Sequence, residues 1–177
     1  MSIYQYDTDF NHYEHADKRE RQKLGQVWTP YDTIDKMMDK WPAENWNDPS
    51  KTMLDPTMGA GNIVIAMLYR RIVEHGQDPI TALKNTYGVE LDLPTHKYAQ
   101  QRIIKFMKNF TNEDVTEIVK RNFVNSDIFE WNLEEWRAKT PEELSRERDE
   151  QERAKRAAKS YAKLQHASKK LKSSQAE

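Results

Sequence analysis

Asp55-Pro56-Thr57-Met58-Gly59-Ala60-Gly61-Asn62 lies between two apolar runs of different character. Ahead of it stands Thr52-Met53-Leu54, short and of strand length. Behind it Ile63, Val64, Ile65, Met67, Leu68, Ile72 and Val73 recur at helical spacing until Gly76, which predicts a helix stopped by that glycine. A strand, a glycine turn and a helix in that order bring backbone N–H groups and a helix N-terminus close to a ligand. At Gly59 and Gly61 a side chain would hold the ligand off the backbone. Asp55 is expected at the carboxyl end of the strand, where open α/β sheets bind their ligands. Glycine pairs also occur in loops that merely turn, so the rest of the site has to fall where a nucleotide-like ligand needs it.

Thr86-Tyr87-Gly88-Val89-Glu90-Leu91-Asp92 predicts a second strand ending in acid, about 30 residues further on. The spacing exceeds the roughly 20 residues of the nicotinamide fingerprint, and the glycines do not follow its G-x-G-x-x-G order. A carboxylate at that strand end can accept hydrogen bonds from both hydroxyls of a ribose. Asn122-Phe123-Val124-Asn125-Ser126-Asp127-Ile128-Phe129 predicts a third strand, again ending in Asp. That acid can accept from the exocyclic amine of an adenine, with Ile128 or Phe129 against the ring. Three strands ending in acid at one edge of a sheet describe a pocket for an adenosine compound.

Leu24-Gly25-Gln26-Val27-Trp28-Thr29-Pro30 adds a fourth segment. Together the four come in the order used by class I S-adenosylmethionine (SAM) methyltransferases. Over about residues 20–130 the chain most resembles the adenine-specific (amino) DNA methylases of restriction–modification systems. The resemblance implies an α/β, Rossmann-like methyltransferase fold, truncated to three clear strands, with SAM as cofactor. It implies that Trp28, Thr29 and Pro30 bound the methionine end. Asp55, Pro56, Gly59, Gly61 and Asn62 would form the central loop at that same end. Glu90 would take the ribose, and Asp127 and Ile128 the adenine. Trp28 stands where the family usually has Tyr or Phe.

The departure matters as much as the match. These methylases carry an Asp or Asn followed by two prolines and an aromatic, whose carbonyls activate the target amine and whose ring stacks on the flipped-out base. This chain has no Pro-Pro, and its one proline after Asp127 is Pro141. Lys139-Thr140-Pro141-Glu142-Glu143-Leu144 instead predicts a helix start, with Thr140 as cap and Glu143 closing a capping box. No catalytic residue is assigned. Two functional readings follow: methyl transfer to an exocyclic adenine amine in DNA once a partner or second copy completes the site, or a catalytically silent SAM-binding regulatory or interaction protein. A third keeps the fold for partner binding alone, and retention of Asp55, Gly59, Gly61, Glu90 and Asp127 together weighs against it.

Composition sets bounds on these readings. At 177 residues the chain supports one domain and a tail rather than a methylase with a separate recognition domain. A polar segment is expected over 1–23, the methyltransferase-like domain over 24–138, and a charged helical or disordered tail over 139–177. The net charge of −1 gives no bulk pull toward nucleic acid. Cysteine is absent, which leaves no disulfides or thiolate metal sites and fits a cytoplasmic location. It would also count against cytosine-carbon chemistry, where a thiolate adds to the ring. No signal peptide or membrane-spanning run is expected. His12 and His15 lie three apart, His75, His96 and His166 are isolated, and no metal site is expected from such spacing.

Elsewhere, Asp17–Lys23 favours helix, read as a solvated surface ahead of a DNA contact. Thr29 is expected to cap a helix with Pro30 at its first position, burying Ile34, Met37, Met38 and Trp41; Trp41–Pro49 is expected as a loop. Pro94–Phe110 suits a helix with Tyr98, Ile103, Phe106 and Phe110 in the core, and Asn112–Val119 a shorter one. Ala154–Ala176 holds seven Lys or Arg and no acid, read either as a solvated tail or as a basic arm that makes DNA a candidate partner. With only three strands, the outer edge of the first is left for a second copy, a partner chain or the C-terminal segment to cover.

Overall fold

The computed structural model describes residues 2–7 and 29–173, with side chains of the last helix described to residue 162. Trp28, the rest of the Leu24–Trp28 segment, the Asp17–Lys23 stretch, His12 and His15 lie outside the described residues. The chain divides into two compact units, Met1–Phe129 and Glu130–Glu177.

Unit 1 is built on a three-stranded parallel sheet in the order β1-β2-β3: β1 (Met53–Asp55), β2 (Thr86–Glu90) and β3 (Phe123–Asn125). Parallel neighbours require crossovers, and here these are helical. Between β1 and β2 run α3 (Asn62–Tyr69), a π-helical turn (Arg70–Glu74) and α4 (Pro79–Lys84). Between β2 and β3 run α5 (Leu93–Met107) and α6 (Thr116–Asn122). Ahead of the sheet come a single 3-10 turn (Ile3–Gln5), α1 (Tyr31–Met38) and α2 (Ala43–Asn47). Register sets Asp55 opposite Gly88 and Glu90 opposite Asn125. The ends of the three strands therefore share one edge.

Gly88 and Val89 are consecutive and both buried. Successive residues of a strand face opposite sides, so β2 is covered on both. Helix α3 contributes most to that cover. From Asn62 to Tyr69 all but Ile63 are buried, and α3 touches β1, β2, α1, α4 and α5. An all-round apolar helix needs cover on every side, which these five elements give it. Each large apolar side chain buried this way contributes about 1.5–3 kcal/mol.

Several elements depart from the sequence reading in instructive ways. Pro30, not Thr29, is the N-cap of α1: its carbonyl accepts from Thr33 and Ile34 at 3.0 and 3.1 Å. Thr29 is held elsewhere, its carbonyl accepting from Asn62 Nδ2 at 3.1 Å. In the eight residues of α1, Ile34 and Met38, one turn apart, are buried and Tyr31 packs against the core from the first position, while Met37 and Trp41 stay exposed. The expected Trp41–Pro49 loop contains α2, which buries Trp46. Asp92 does not extend β2; it caps α5, accepting from the Thr95 N–H at 3.0 Å. The third strand covers only Phe123–Asn125 and stops short of Asp127: Asn122 ends α6, its amide donating to the carbonyls of Leu83, Lys84 and Thr86, and Asp127 accepts the Phe129 N–H in a turn beyond the strand.

The helix after the glycine loop widens into a π-turn, closed by the His75 N–H on the Arg70 carbonyl at 3.0 Å. The turn buries two arginines. Arg70 pairs with Asp35 and Asp39 at 2.6 and 2.7 Å and lies over the Trp46 ring. Arg71 is fully buried and donates to Gln77 Oε1, the Asn85 carbonyl and the Pro49 carbonyl at 2.8, 3.1 and 3.0 Å. Its fork ties the residues leading into β1 and β2 together at the amino end of the sheet, and burial lowers its pKa. Gly76, at φ +64°, ends the run as the sequence predicts.

Unit 2 contains a two-residue hairpin, β4 (Trp131–Asn132) against β5 (Arg137–Ala138), then α7 (Pro141–Ser173). The expected capping box is present: the Thr140 N–H donates to Glu143 Oε2 at 2.7 Å, and the Glu143 N–H donates to Thr140 Oγ1 at 3.3 Å. Arg137 also grips Glu143 through both terminal nitrogens, at 2.8 and 2.9 Å, and holds that carboxyl down at about 2.

Gly88 is required by packing rather than by its dihedrals. A Cβ there would lie 2.6 Å from Met58 Sδ and 3.0 Å from Phe123 Cδ1. Gly88→Ala is expected to cost about 1–3 kcal/mol, the usual range for overpacking, read from the urea midpoint at constant m.

Candidate cofactor site at the carboxyl ends of the strands

Asp55 closes β1 and is 5% exposed. Its Oδ1 accepts the Thr57 N–H at 3.2 Å, while Oδ2 is buried with no hydrogen-bond partner. Burial raises this carboxyl to about 6; the Thr57 bond opposes the shift and the nearby Glu90 adds to it. A buried oxygen without a donor is costly, and at this strand end it is available to a ligand that brings one.

The loop after Asp55 folds back on β2, the Met58 N–H donating to the Val89 carbonyl at 2.9 Å and the Gly61 N–H to the Met58 carbonyl at 2.8 Å. Gly59 and Gly61 have φ of +53° and +89°, a region L side chains enter only with strain. At neither position is space the limit: nothing lies within 4 Å of a Cβ at Gly59, and at Gly61 the nearest atom is Ala99 Cβ at 3.6 Å. Gly61 is the N-cap of α3, with no side chain capping it. Pro56 is exposed within the same turn.

Glu90 closes β2 and is buried. One carboxylate oxygen accepts the Gly59 N–H at 2.9 Å and the other the Asp92 N–H at 2.9 Å. Each oxygen retains a further lone pair, so Glu90 both shapes the glycine loop and can still accept from a ligand hydroxyl. The Ser126 N–H donates to the Glu90 carbonyl at 3.1 Å, and Asn125 Nδ2 donates to the same carbonyl at 2.8 Å. These bonds fasten the end of β3 to the end of β2. Asp127 follows, partly exposed, its Oδ1 turned onto the Phe129 N–H at 2.9 Å. Ile128 is half-buried and Phe129 is 79% exposed.

Asn62 is engaged at both ends of its amide. It donates to the Thr29 carbonyl, and its Oδ1 accepts from Arg102 at 2.6 Å. Arg102, on α5, also donates to the Ala60 carbonyl at 3.0 Å and forms a buried ion pair with Asp7. Thus Thr29, Asn62 and the glycine loop are joined through one guanidinium to the N-terminal residues. Pro30, exposed, follows Thr29. Arg102 and Asp7 were not legible as site residues. The signal for Arg102 was a cation at core spacing, between Ala99 and Phe106 on the buried side of α5; for Asp7 there was none. Among the described residues no cluster of three or more metal-ligating side chains exists, and no helix is long and apolar enough to cross a membrane.

The arrangement offers two adjacent carboxylates, left-handed glycines and an uncapped helix start at one sheet edge. A ligand with a cationic or hydroxyl donor fits the acids.

Asp55 carries a sign-definite test. Its folded pKa lies above its unfolded value, so the folded state binds more protons between about pH 4 and 6 and loses stability as pH rises through that window. Asp55→Asn is therefore expected to stabilise the ligand-free protein at pH 8, by on the order of 1–3 kcal/mol, with the gain fading toward pH 4. Denaturation at several pH values reads this directly. Arg102→Met strands the Asp7 charge and should cost about 3–5 kcal/mol. Arg102→Lys should recover only part, because an ammonium cannot span Asp7, Asn62 and the Ala60 carbonyl as the planar fork does.

Comparison of the chain with protein-family models, curated proteins and solved structures finds no match in any of the three.

Proposed function

We propose that unit 1 is a SAM-binding domain of methyltransferase type, and that it takes part in methyl transfer to an adenine amine in DNA when a second chain completes it. The observation that carries this reading is the buried, partnerless Oδ2 of Asp55 beside Glu90 at the ends of adjacent parallel strands. SAM brings an ammonium, a sulfonium and two ribose hydroxyls, which match a pair of carboxylates. The exposed Phe129 and half-buried Ile128, next to Asp127, provide apolar surface for an adenine ring. In this reading the residues around Thr29 and Pro30 meet the methionine end beside the glycine loop.

The amine-activating part has no counterpart in the chain and comes from a partner. β1 has one neighbour in the sheet, and its other side is unpaired among the described residues. A groove lined by Trp41, Asn45, Lys51, Thr52, Met53 and Leu54 takes in the entry to β1 and its first two residues. An extended segment of a second chain pairing with β1 covers this edge. The absence of the Pro-Pro-aromatic motif favours a second reading for the isolated chain, a SAM binder without transfer activity.

Calorimetric titration of SAM into the purified chain tests the first step. Micromolar binding is expected, weakening as pH falls through about 6 because a protonated Asp55 cannot receive a cation. Glu90→Gln, which sets an amide N–H against a backbone N–H, should abolish it. Absence of heat at pH 8 would remove the cofactor reading. Methylation of unmodified DNA by the chain alone would remove the need for a partner.

A further inference from the structure

Helix α7 divides sharply in charge. Residues 141–152 hold six acids and two arginines; residues 153–173 hold eight lysines or arginines and no acid. From Arg148 to Ala162 every described side chain is exposed. The acid nearest the basic part, Glu152, pairs with Arg156 at 3.4 Å. No ion pair engages Lys155 or Lys159 among the described residues.

Acids early and cations late complement the helix dipole, but that effect fades within the final turn. Eight cations over about 20 residues exceed what it explains. Like charges one turn apart, as at 155 and 159, destabilise an isolated helix. The segment therefore gains from an external array of negative charge. Helical spacing sets positions 155, 159, 163 and 170 on one side, a row rather than a point.

We propose that residues 153–173 of α7 bind B-form duplex DNA through its phosphates, without reading sequence. The segment is about 30 Å long and a helix is about 10–12 Å across, which suits the roughly 12 Å major groove of B-form DNA. The deep, narrow major groove of duplex RNA does not admit side chains. Tyr161, Leu164 and Leu171 are the only large apolar residues in the segment, too few for a helix to insert stably into lipid. Lysine dominates over arginine, and point charges neutralise phosphates without the forked geometry that selects a base. The overall charge of −1 does not oppose this, because phosphates meet the local segment. The proposal stands apart from the cofactor reading, since duplex affinity is measured without SAM.

The test is fluorescence anisotropy of a labelled 20-base-pair duplex of arbitrary sequence with the full chain, from 50 to 200 mM salt. A slope of log K against log salt near about −5 is expected, corresponding to about six neutralised phosphates. Lys155→Ala with Lys159→Ala should flatten the slope by about two. Arg148→Ala, which removes a charge from the acidic half, should leave it unchanged. Any of four results overturns the proposal: no binding at 50 mM salt; a slope unaffected by the lysine pair; equal binding to duplex RNA of the same length; or association only with phosphatidylglycerol vesicles or with a second copy of the chain.

Discussion

Glu90 receives a backbone N–H on each carboxylate oxygen, Gly59 from the loop after β1 and Asp92 from the start of α5. Those two bonds join the glycine loop and the start of α5 to the end of β2. The loop from Asp55 to Asn62 carries two left-handed glycines, and within it, among the described residues, only the Thr57 N–H bond to Asp55 and the Gly61 N–H bond to the Met58 carbonyl are made. Glu90 adds a restraint from the neighbouring strand and, by its charge, adds to the rise in Asp55 proton affinity that burial causes. One side chain thus contributes to both the loop geometry and the electrostatics of the adjacent acid.

A second restraint comes from the opposite side of the loop. Arg102 joins Ala60, Asn62 and Asp7, so α5 and the N-terminal turn share in positioning the start of α3. A buried ion pair of this kind adds little net stability compared with apolar packing, yet it is costly to break. Its effect is to give the loop a single arrangement. At the other end of the sheet Arg71 acts similarly with neutral partners only, tying the entries of β1 and β2. The parallel pair is therefore clamped at both ends, as suits strands of three and five residues.

The cost of the site is visible in Asp55. Its unpartnered oxygen is disfavoured in the ligand-free protein, as expected where a binding site departs from what stability alone would select. Phe129, Leu91 and Leu93 add exposed apolar surface near the ends of β2 and β3. The edge that holds the acids is also an edge that stability alone leaves unfinished.

Local chemistry makes much of this legible in the sequence. Strand, glycine turn and helix follow from short-range propensities, since only glycine enters positive φ without strain and an apolar run at 3.6-residue spacing has one stable form. The Thr140–Glu143 capping box was readable for the same reason. What sequence could not show depends on contacts between distant residues. Arg102 sits at core spacing on α5, yet its partner Asp7 lies 95 positions away. Asp92 resembled a strand-end acid until the Thr95 N–H claimed it as a cap. Gly88 gave no sign that Met58 and Phe123 close on it. By itself the sequence determined the succession of three strands with helical crossovers and the glycine loop after the first, because those follow from periodicity and backbone sterics. Only the tertiary structure decided which of the acids is left without a partner, because that depends on which distant N–H groups the fold delivers to each carboxylate.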